Sequence, residues 1–336
     1  MPGAENNPVS HFTKIIQPMI NPVYSASPRR YESGMRYRRC GRSGILLPEL
    51  SLGLWHNFGD VDPLARSREI IHYAFDHGIC HFDLANNYGP SYGSAEETFG
   101  IIMKQSLAPY RDELFISTKA GHDMWPGPYG EWGSRKYLMA SIDQSLRRMN
   151  LEYVDIFYSH RYDPDTPLEE TMQTLVDIVK QGKALYAGIS KYPADKAREA
   201  YAYLAARDVK CLAYQGRYNM LDRAPEEEGI LNDAMEAGVG FTAFSPLAQG
   251  LLTDRYLNGI PADSRIGRGG YLKREDLTPE VMHKIRELNT QARERGITLA
   301  GMAIEWLLDN PAVSSVIIGA SSVEQLASNL SAVTRR

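Results

Sequence analysis

Short apolar runs recur along the body of the chain, with segments of helical period between them. The runs are LPELSLGLW, ending at Trp55, then GICHFDLA, LFISTKAG, VDIFYSHR, ALYAGIS, KCLAYQG, VGFTAFSP and SSVIIGA. Their length, their boundary residues and their β-branched and aromatic content read as buried strands. Between them, REIIHYAFDHG reads as a helix that stops at Gly78, the left-handed residue expected beyond a helix end. RKYLMASIDQSLRRMN places apolar residues at i, i+3, i+4 and i+7, as one buried helical face requires. TPLEETMQTLVDIVKQG opens with Thr166 as cap, Pro167 at the first helical position and Glu169 completing a capping box, and closes on Gly182. Ser94-Ala-Glu-Glu97 is a second S-x-x-E capping box.

Eight strands alternating with helices predict parallel β/α construction. An open nucleotide-binding sheet should carry G-x-G-x-x-G after an early strand. None is present, and the glycines of GRGGY lie in a polar loop. The strand count and the length favour a closed (β/α)8 TIM barrel. Residues 1–34 differ: they are rich in Pro, Ser and Asn and lack a regular apolar period, so they read as a flexible or surface-wrapping arm. Residues 35–336 then form a single barrel domain.

Composition narrows the function. The chain has 336 residues, 43% hydrophobic, ample for a large core. A net charge of −4 gives no basic field for nucleic acid or an anionic membrane. No apolar run approaches the roughly 18 residues of a membrane span, and the amino terminus lacks the layout of a secretory signal. Cys40, Cys80 and Cys211 are scattered, without a C-x-x-C pair. They point to a reducing, cytoplasmic setting, and neither a disulfide framework nor a structural metal is expected.

The strand ends carry the candidate chemistry, because residues there converge on one face of such a barrel. The second strand ends on Asp83, the third on Lys119 and the fourth on His160; the next three end on Ser190, Gln215 and Ser245-Pro246. Singly, Asp83 starts a turn, Lys119 is a solvated charge and His160 a satisfied histidine. Together, three ionisable residues closing three successive buried strands need partners. Tyr88, in the loop after Asp83, supplies a phenol whose ordinary pKa near 10 makes it a sluggish acid. An ammonium about 4 Å away is worth about 4 kcal/mol at an effective dielectric near 20, and would draw that pKa down. Asp83 would keep Lys119 charged, and His160 would orient a substrate oxygen. A cofactor-free lyase using Lys119 for a Schiff base is a competing reading, but that chemistry wants a neutral lysine.

HFDLANNYG, STKAG, DIFYSHR, GIS, YNML and SPLAQGLL together resemble the aldo-keto reductase superfamily, over most of the chain from MRYRRCGRSG to IIGASSVEQLASNL. Within it, the sequence is most similar to bacterial L-glyceraldehyde 3-phosphate reductases through SLGLWHNFGD, KAGHDMWPGPYGEWGSRKYL, SIDQSLRRM and DRYLNGIPADSR, and also to the potassium-channel β-subunits. The resemblance implies an NADPH-dependent reductase of small aldehydes, with Tyr88 as general acid, Lys119 and Asp83 tuning it and His160 steering the carbonyl. It also implies a nicotinamide nucleotide across the barrel mouth. Trp55, Asp83, Ser190 and Gln215 would lie around the nicotinamide, and Ser245, Leu247 and Gly250 along the pyrophosphate. Arg255, Arg265, Gly319, Ser321, Gln325 and Asn329 would lie around the adenosine and its 2′-phosphate. Ser322-Val-Glu-Gln325 is a capping box that supports an anion site after the eighth strand. Trp55, Tyr88 and His160 would meet the substrate; His56, Phe58, Trp125 and Trp132 are further candidate walls. The alternative within the resemblance is a nucleotide-binding, channel-associated β-subunit; those proteins carry asparagine at the position of His160. The resemblance further implies a homo-oligomer of four or more subunits, and a barrel ending at Arg336 without the closing loop and helix that relatives carry.

Overall fold

The computed structural model describes residues 24–257, 259–260 and 272–334. An antiparallel hairpin, β1 (Tyr37–Arg39) and β2 (Leu46–Pro48), precedes eight parallel strands. These are β3 (Leu50–Gly53), β4 (His81–Asp83), β5 (Phe115–Ala120), β6 (Val154–Ser159), β7 (Ala184–Ser190), β8 (Cys211–Arg217), β9 (Gly240–Phe244) and β10 (Val313–Ile318). They close in chain order, with β10 pairing both β9 and β3. All eight correspond to the apolar runs read from the sequence, and the (β/α)8 architecture is as expected.

The helices are α1 (Leu64–Asp76), α2 (Ser94–Ile102), α3 (Arg135–Met149), α4 (Leu168–Lys180), α5 (Ala194–Ala205), α6 (Ala224–Glu227), α7 (Ile230–Ala237), α8 (Pro279–Glu294), α9 (Leu299–Asp309) and α10 (Val323–Thr334). In α3 the predicted face is the buried one: Tyr137, Leu138, Ser141, Ile142, Ser145, Leu146 and Met149 all turn inward. Gly78 adopts φ +87°, and the amides of Gly78 and Ile79 return to the carbonyls of Phe75 and Ala74, closing α1 as the sequence predicts. A Cβ there would lie 2.9 Å from that of Met35.

The hairpin seals the amino-terminal end of the barrel. Cys40 and Leu47 pack with Phe115, Ile156, Tyr158, Leu212 and Ala213 in one buried cluster. Glu49, 2% exposed, is neutralised by Arg36 at 3.1 Å and Arg38 at 2.9 Å. A separate apolar cluster joins the segment after β9 to α8 and α9 through Leu251, Leu252, Tyr256, Ile285 and Leu288.

Two capping expectations are corrected. The cap of α2 is Gly93, at φ +91°, and Ser94 sits inside the helix with its hydroxyl donating to the carbonyls of Pro90 and Ser91. The tight turn into the helix uses the hydroxyl, so the box does not form. Thr166 donates to Asp163 Oδ2 at 2.6 Å, and Pro167 occupies the cap of α4. Asp163, taking the Thr166 hydroxyl and two backbone amides, outcompetes the helix for that side chain. Of the arm, residues 24–34 lie against the barrel's helical layer. Tyr24 stacks on His72 at 3.7 Å and donates to Asp76, and Arg30 pairs with Glu113 at 2.6 Å.

Candidate active site

Side chains two apart on a strand share a face, so His81 and Asp83 on β4, and Ser117 and Lys119 on β5, point into the barrel together. The order of charge follows from that spacing. Lys119, fully buried, holds Asp83 Oδ2 at 2.7 Å and also donates to the carbonyl of Leu84. Asp83 Oδ1 accepts from Ser117 Oγ at 2.6 Å and from Gln215 Nε2 at 3.0 Å. Both carboxylate oxygens are thus engaged, which is what makes a buried ion pair tolerable.

Above the pair sits Tyr88, with Lys119 Nζ 4.8 Å from its ring centre. The loop that carries it is pinned at both ends: the Tyr88 amide donates to Ala85 O, and the Gly89 amide to Trp55 O. His160 meets Tyr88 edge to face at 5.8 Å, and His122 meets His160 at 4.5 Å. The phenol's pKa is pushed well above 10, by burial first and by Asp83 second. This corrects the expectation that Lys119 would draw it down. Without a developing negative charge to stabilise, desolvation outweighs the ammonium, and Tyr88 is held as the neutral donor. Burial likewise lowers the pKa of Lys119, with Asp83 opposing. His160 is pushed well below 6.5 by burial and then by Lys119, and His122 to about 4 by burial and then by Lys191. Both imidazoles are neutral at pH 7, and His160 Nδ1 has no partner among the described residues.

The cleft over this group has a volume of about 670 Å³, a size suited to a small-molecule site. Trp55, Asp83, Tyr88, His160, Gln215, Ser245, Leu247, Gly250, Arg255, Gly319, Ser321 and Gln325 all line it. Lys119, Ser190 and Asn329 lie buried behind that lining. Arg265 falls outside the described residues. Of the aromatic candidates, Trp55 and His56 line the cleft, their rings tilted against each other with centres 4.0 Å apart. Phe58 is wholly buried in the core, Trp125 packs on Tyr137 at 5.0 Å, and Trp132 is capped by the Arg161 guanidinium at 3.5 Å. None of these three reaches the cleft. His122, Asn87, Lys191, Arg217 and Phe244 line it without having been singled out. Lys191 directly follows Ser190, and His122 lies three residues past Lys119, so distance from a recognised strand end was the available signal.

The residues fit a nucleotide in a way that does not depend on likeness. Ser190 Oγ, Asn329 Nδ2 and Gln249 Oε1 are buried and have no hydrogen-bond partner among the described residues, an uncommon state for buried polar atoms. After β9, Ser245, Ala248 and Gln249 all take positive φ, at 55°, 45° and 58°. Such conformations cost roughly 1–3 kcal/mol each and gather at ligand clamps. At the start of α10, Ser322 Oγ accepts from the Gln325 amide as predicted, while Gln325 Oε1 reaches back to the amide and hydroxyl of Ser321. That helix end faces the cleft through Ser321 and Gln325.

A closed parallel barrel with a buried carboxylate–lysine pair beneath a tyrosine defines an oxidoreductase of the aldo/keto reductase family, and the chain belongs to that family: its sequence pattern matches residues 49–336. The chain is 55% identical over 316 residues to L-glyceraldehyde 3-phosphate reductase of Escherichia coli K12, covering 93% of this chain and 91% of that protein. It is also 37% identical over 305 residues to a probable voltage-gated potassium channel subunit beta of Arabidopsis thaliana, covering 89% and 91%. The rice counterpart, from Oryza sativa subsp. japonica, is 36% identical over the same length with the same coverage.

Among the described residues no helix is long and apolar enough to cross a membrane, and no group of His, Cys, Asp and Glu is arranged to hold a metal ion.

Proposed function

We propose that the chain reduces small aldehydes to alcohols with NADPH, with Tyr88 as the general acid and L-glyceraldehyde 3-phosphate and methylglyoxal-like carbonyls as the substrate class. The observation that carries this is the 2.7 Å Lys119–Asp83 pair lying directly beneath the Tyr88 ring at the floor of the cleft. The likeness to the L-glyceraldehyde 3-phosphate reductases supplies the substrate class.

When bound, NADPH supplies the hydride; the residues of the chain do the rest. Ser190, Gln215, Ser245, Leu247, Gly250, Arg255, Gln325 and Asn329 would hold it, with Trp55 and Asp83 beside its reactive ring. Arg255, and Arg265 from the same loop, are the cations suited to a 2′-phosphate. Tyr88, kept protonated by burial, donates to the carbonyl oxygen as charge builds there. Lys119, its ammonium 4.8 Å from the ring centre, stabilises the phenolate left behind. His160, neutral and with a free ring nitrogen, orients the same oxygen by a hydrogen bond without competing for charge. Trp55 and His56 wall the substrate side. The three cysteines are free and buried, which agrees with a reducing, cytoplasmic setting, and assembly into a homo-oligomer belongs to the same reading.

The test is NADPH oxidation against a panel of short aldehydes, phosphorylated and not. Turnover of at least one supports the assignment. Nucleotide binding without turnover of any would instead favour a regulatory, β-subunit-like role.

A further inference from the structure

Behind the site, a line of buried polar groups crosses four adjacent strands inside the barrel. Ser315 Oγ on β10 contacts the Pro48 carbonyl at 2.6 Å and Ser51 Oγ on β3 at 2.6 Å. Ser51 Oγ contacts His81 Nδ1 on β4 at 2.7 Å, and His81 Nε2 contacts Ser117 Oγ on β5 at 3.0 Å. Ser117 Oγ contacts Asp83 Oδ1 at 2.6 Å. Ser51, His81, Ser117 and Ser315 are all wholly buried.

Each of these five contacts joins two lone-pair-bearing atoms at hydrogen-bonding distance, and each needs a proton between them. A serine hydroxyl supplies one proton, and a neutral imidazole one. Three serines and a neutral His81 therefore supply four, one short of five. Both directions of donation fail. If Ser315 donates to Pro48, Ser51 donates to Ser315 and the ring to Ser51; Ser117 must then satisfy both Nε2 and Asp83 with one proton. If donation runs the other way, the Pro48 carbonyl is left facing an oxygen without a proton.

We propose that the chain Pro48–Ser315–Ser51–His81–Ser117–Asp83 holds one proton more than a neutral imidazole and an ionised carboxylate provide, and that His81 and Ser117 pass it to and from Asp83. The step is a paired shift. The N–H bond at Nε2 breaks as a new Ser117 O–H bond forms, and the former Ser117 proton passes to Asp83 Oδ1. The ring is left neutral with its proton on Nδ1, the carboxyl is protonated, and no electrons are exchanged. Around the ring lie Asp83, which favours its charged form, Lys119, which opposes it, and the edge-on ring of Phe115 at 5.1 Å. Burial pushes the imidazole down, toward about 4; against that stand Ser51 Oγ and Ser117 Oγ, one at hydrogen-bonding distance from each ring nitrogen.

The consequence bears on the chemistry. Asp83 opposes ionisation of Tyr88. Moving the stored proton onto Asp83 when Tyr88 becomes phenolate removes that opposition and leaves the full charge of Lys119 for the phenolate. His81 and Ser117 are thus positioning residues that act through Asp83.

The deciding measurement uses the isotope-labelled full-length protein at pH 7, reading the ring nitrogens of His81 and the carboxyl carbon of Asp83 by NMR. A doubly protonated His81 beside an ionised Asp83 is expected in the resting protein; an ionised Asp83 beside a neutral His81 overturns the proposal. Ser51→Ala removes two contacts and one proton, leaving three contacts for three protons, so His81 should become neutral with its proton on Nε2 and Asp83 ionised. An unchanged pair of signals in that variant also overturns it. The kinetic arm rests on the reductase reading: Ser117→Ala should lower kcat about tenfold and shift the kcat–pH profile while leaving the nucleotide Kd in place. A profile that superimposes on that of the wild type removes the role in turnover. A wild type that reduces no aldehyde is a failure of the reductase reading alone, since the spectra answer the proton count without it.

Discussion

Asp83 and Lys119 face each other at 2.7 Å with side chains 3% and 0% exposed, so each is the other's condition for being charged inside the barrel. Breaking such a pair from one side typically costs about 3–5 kcal/mol, because the survivor is left buried and uncompensated. Asp83→Asn should therefore destabilise the fold by that order in denaturant unfolding and abolish turnover. Lys119→Met, which also strands a charge, should behave alike. The double variant Asp83→Asn/Lys119→Met should recover much of the stability and none of the activity. Additive losses of stability would show that the two side chains are not coupled.

Tyr88→Phe keeps the ring over Lys119 and removes only the hydroxyl. Positioned acid catalysis is typically worth 10²–10⁴ in rate, so kcat for aldehyde reduction should fall by about that factor. Nucleotide affinity, followed by quenching of protein fluorescence, should stay within about twofold. Wild-type turnover in this variant would place the proton donor elsewhere.

Ser190 Oγ is buried with no hydrogen-bond partner among the described residues, a state that costs about 1–3 kcal/mol. Ser190→Ala should thus raise the melting temperature of the nucleotide-free protein or leave it unchanged, while weakening NADPH binding by about tenfold. Opposite signs on stability and affinity are the signature of a group kept for a ligand. A melting temperature lowered by the substitution would mean that the hydroxyl serves the fold.

Acid should loosen the segment at Tyr24. His72 stacks beneath that ring, its Nε2 meets Ser106 Oγ at 2.7 Å, and burial pushes its pKa from 6.5 to about 4. The folded state holds fewer protons on this ring than the unfolded state does. Its contribution is therefore intact above pH 6.5 and is lost as pH falls from there toward 4. After allowance for partial exposure, the loss is about 1–2 kcal/mol. His72→Gln should flatten the stability–pH slope in that window, measured by urea unfolding from pH 7 to pH 4.5. An identical slope in wild type and variant would exclude the ring as the source.

The barrel was legible because its eight strands are short apolar runs with unmistakable ends, and Asp83, Lys119 and His160 interrupt those runs where charge is least expected. The caps of α2 and α4 were not, because an S-x-x-E or T-P pattern does not reveal that Ser94 and Thr166 have nearer acceptors at Pro90, Ser91 and Asp163. Nor was the sign of the Tyr88 shift, which depends on how completely the site excludes water. The line through Ser51, His81, Ser117 and Ser315 did leave a trace. Each is a polar residue inside one of the apolar runs, and His81 and Ser117 stand two before Asp83 and Lys119, on the same face. Cross-strand register, which no single strand encodes, is what joined them.

Among the described residues, the hairpin β1–β2 closes one end of the barrel and the cleft opens at the other. Cys40 and Leu47 stopper the far end, so everything that reaches Lys119 or leaves it passes the rim formed by Trp55, His56 and the loop after β9. On the proposed reading, whichever guest lies deeper has to arrive first and depart last. Traffic through such a one-ended vessel imposes an order on binding: nucleotide in, aldehyde in, alcohol out, nucleotide out.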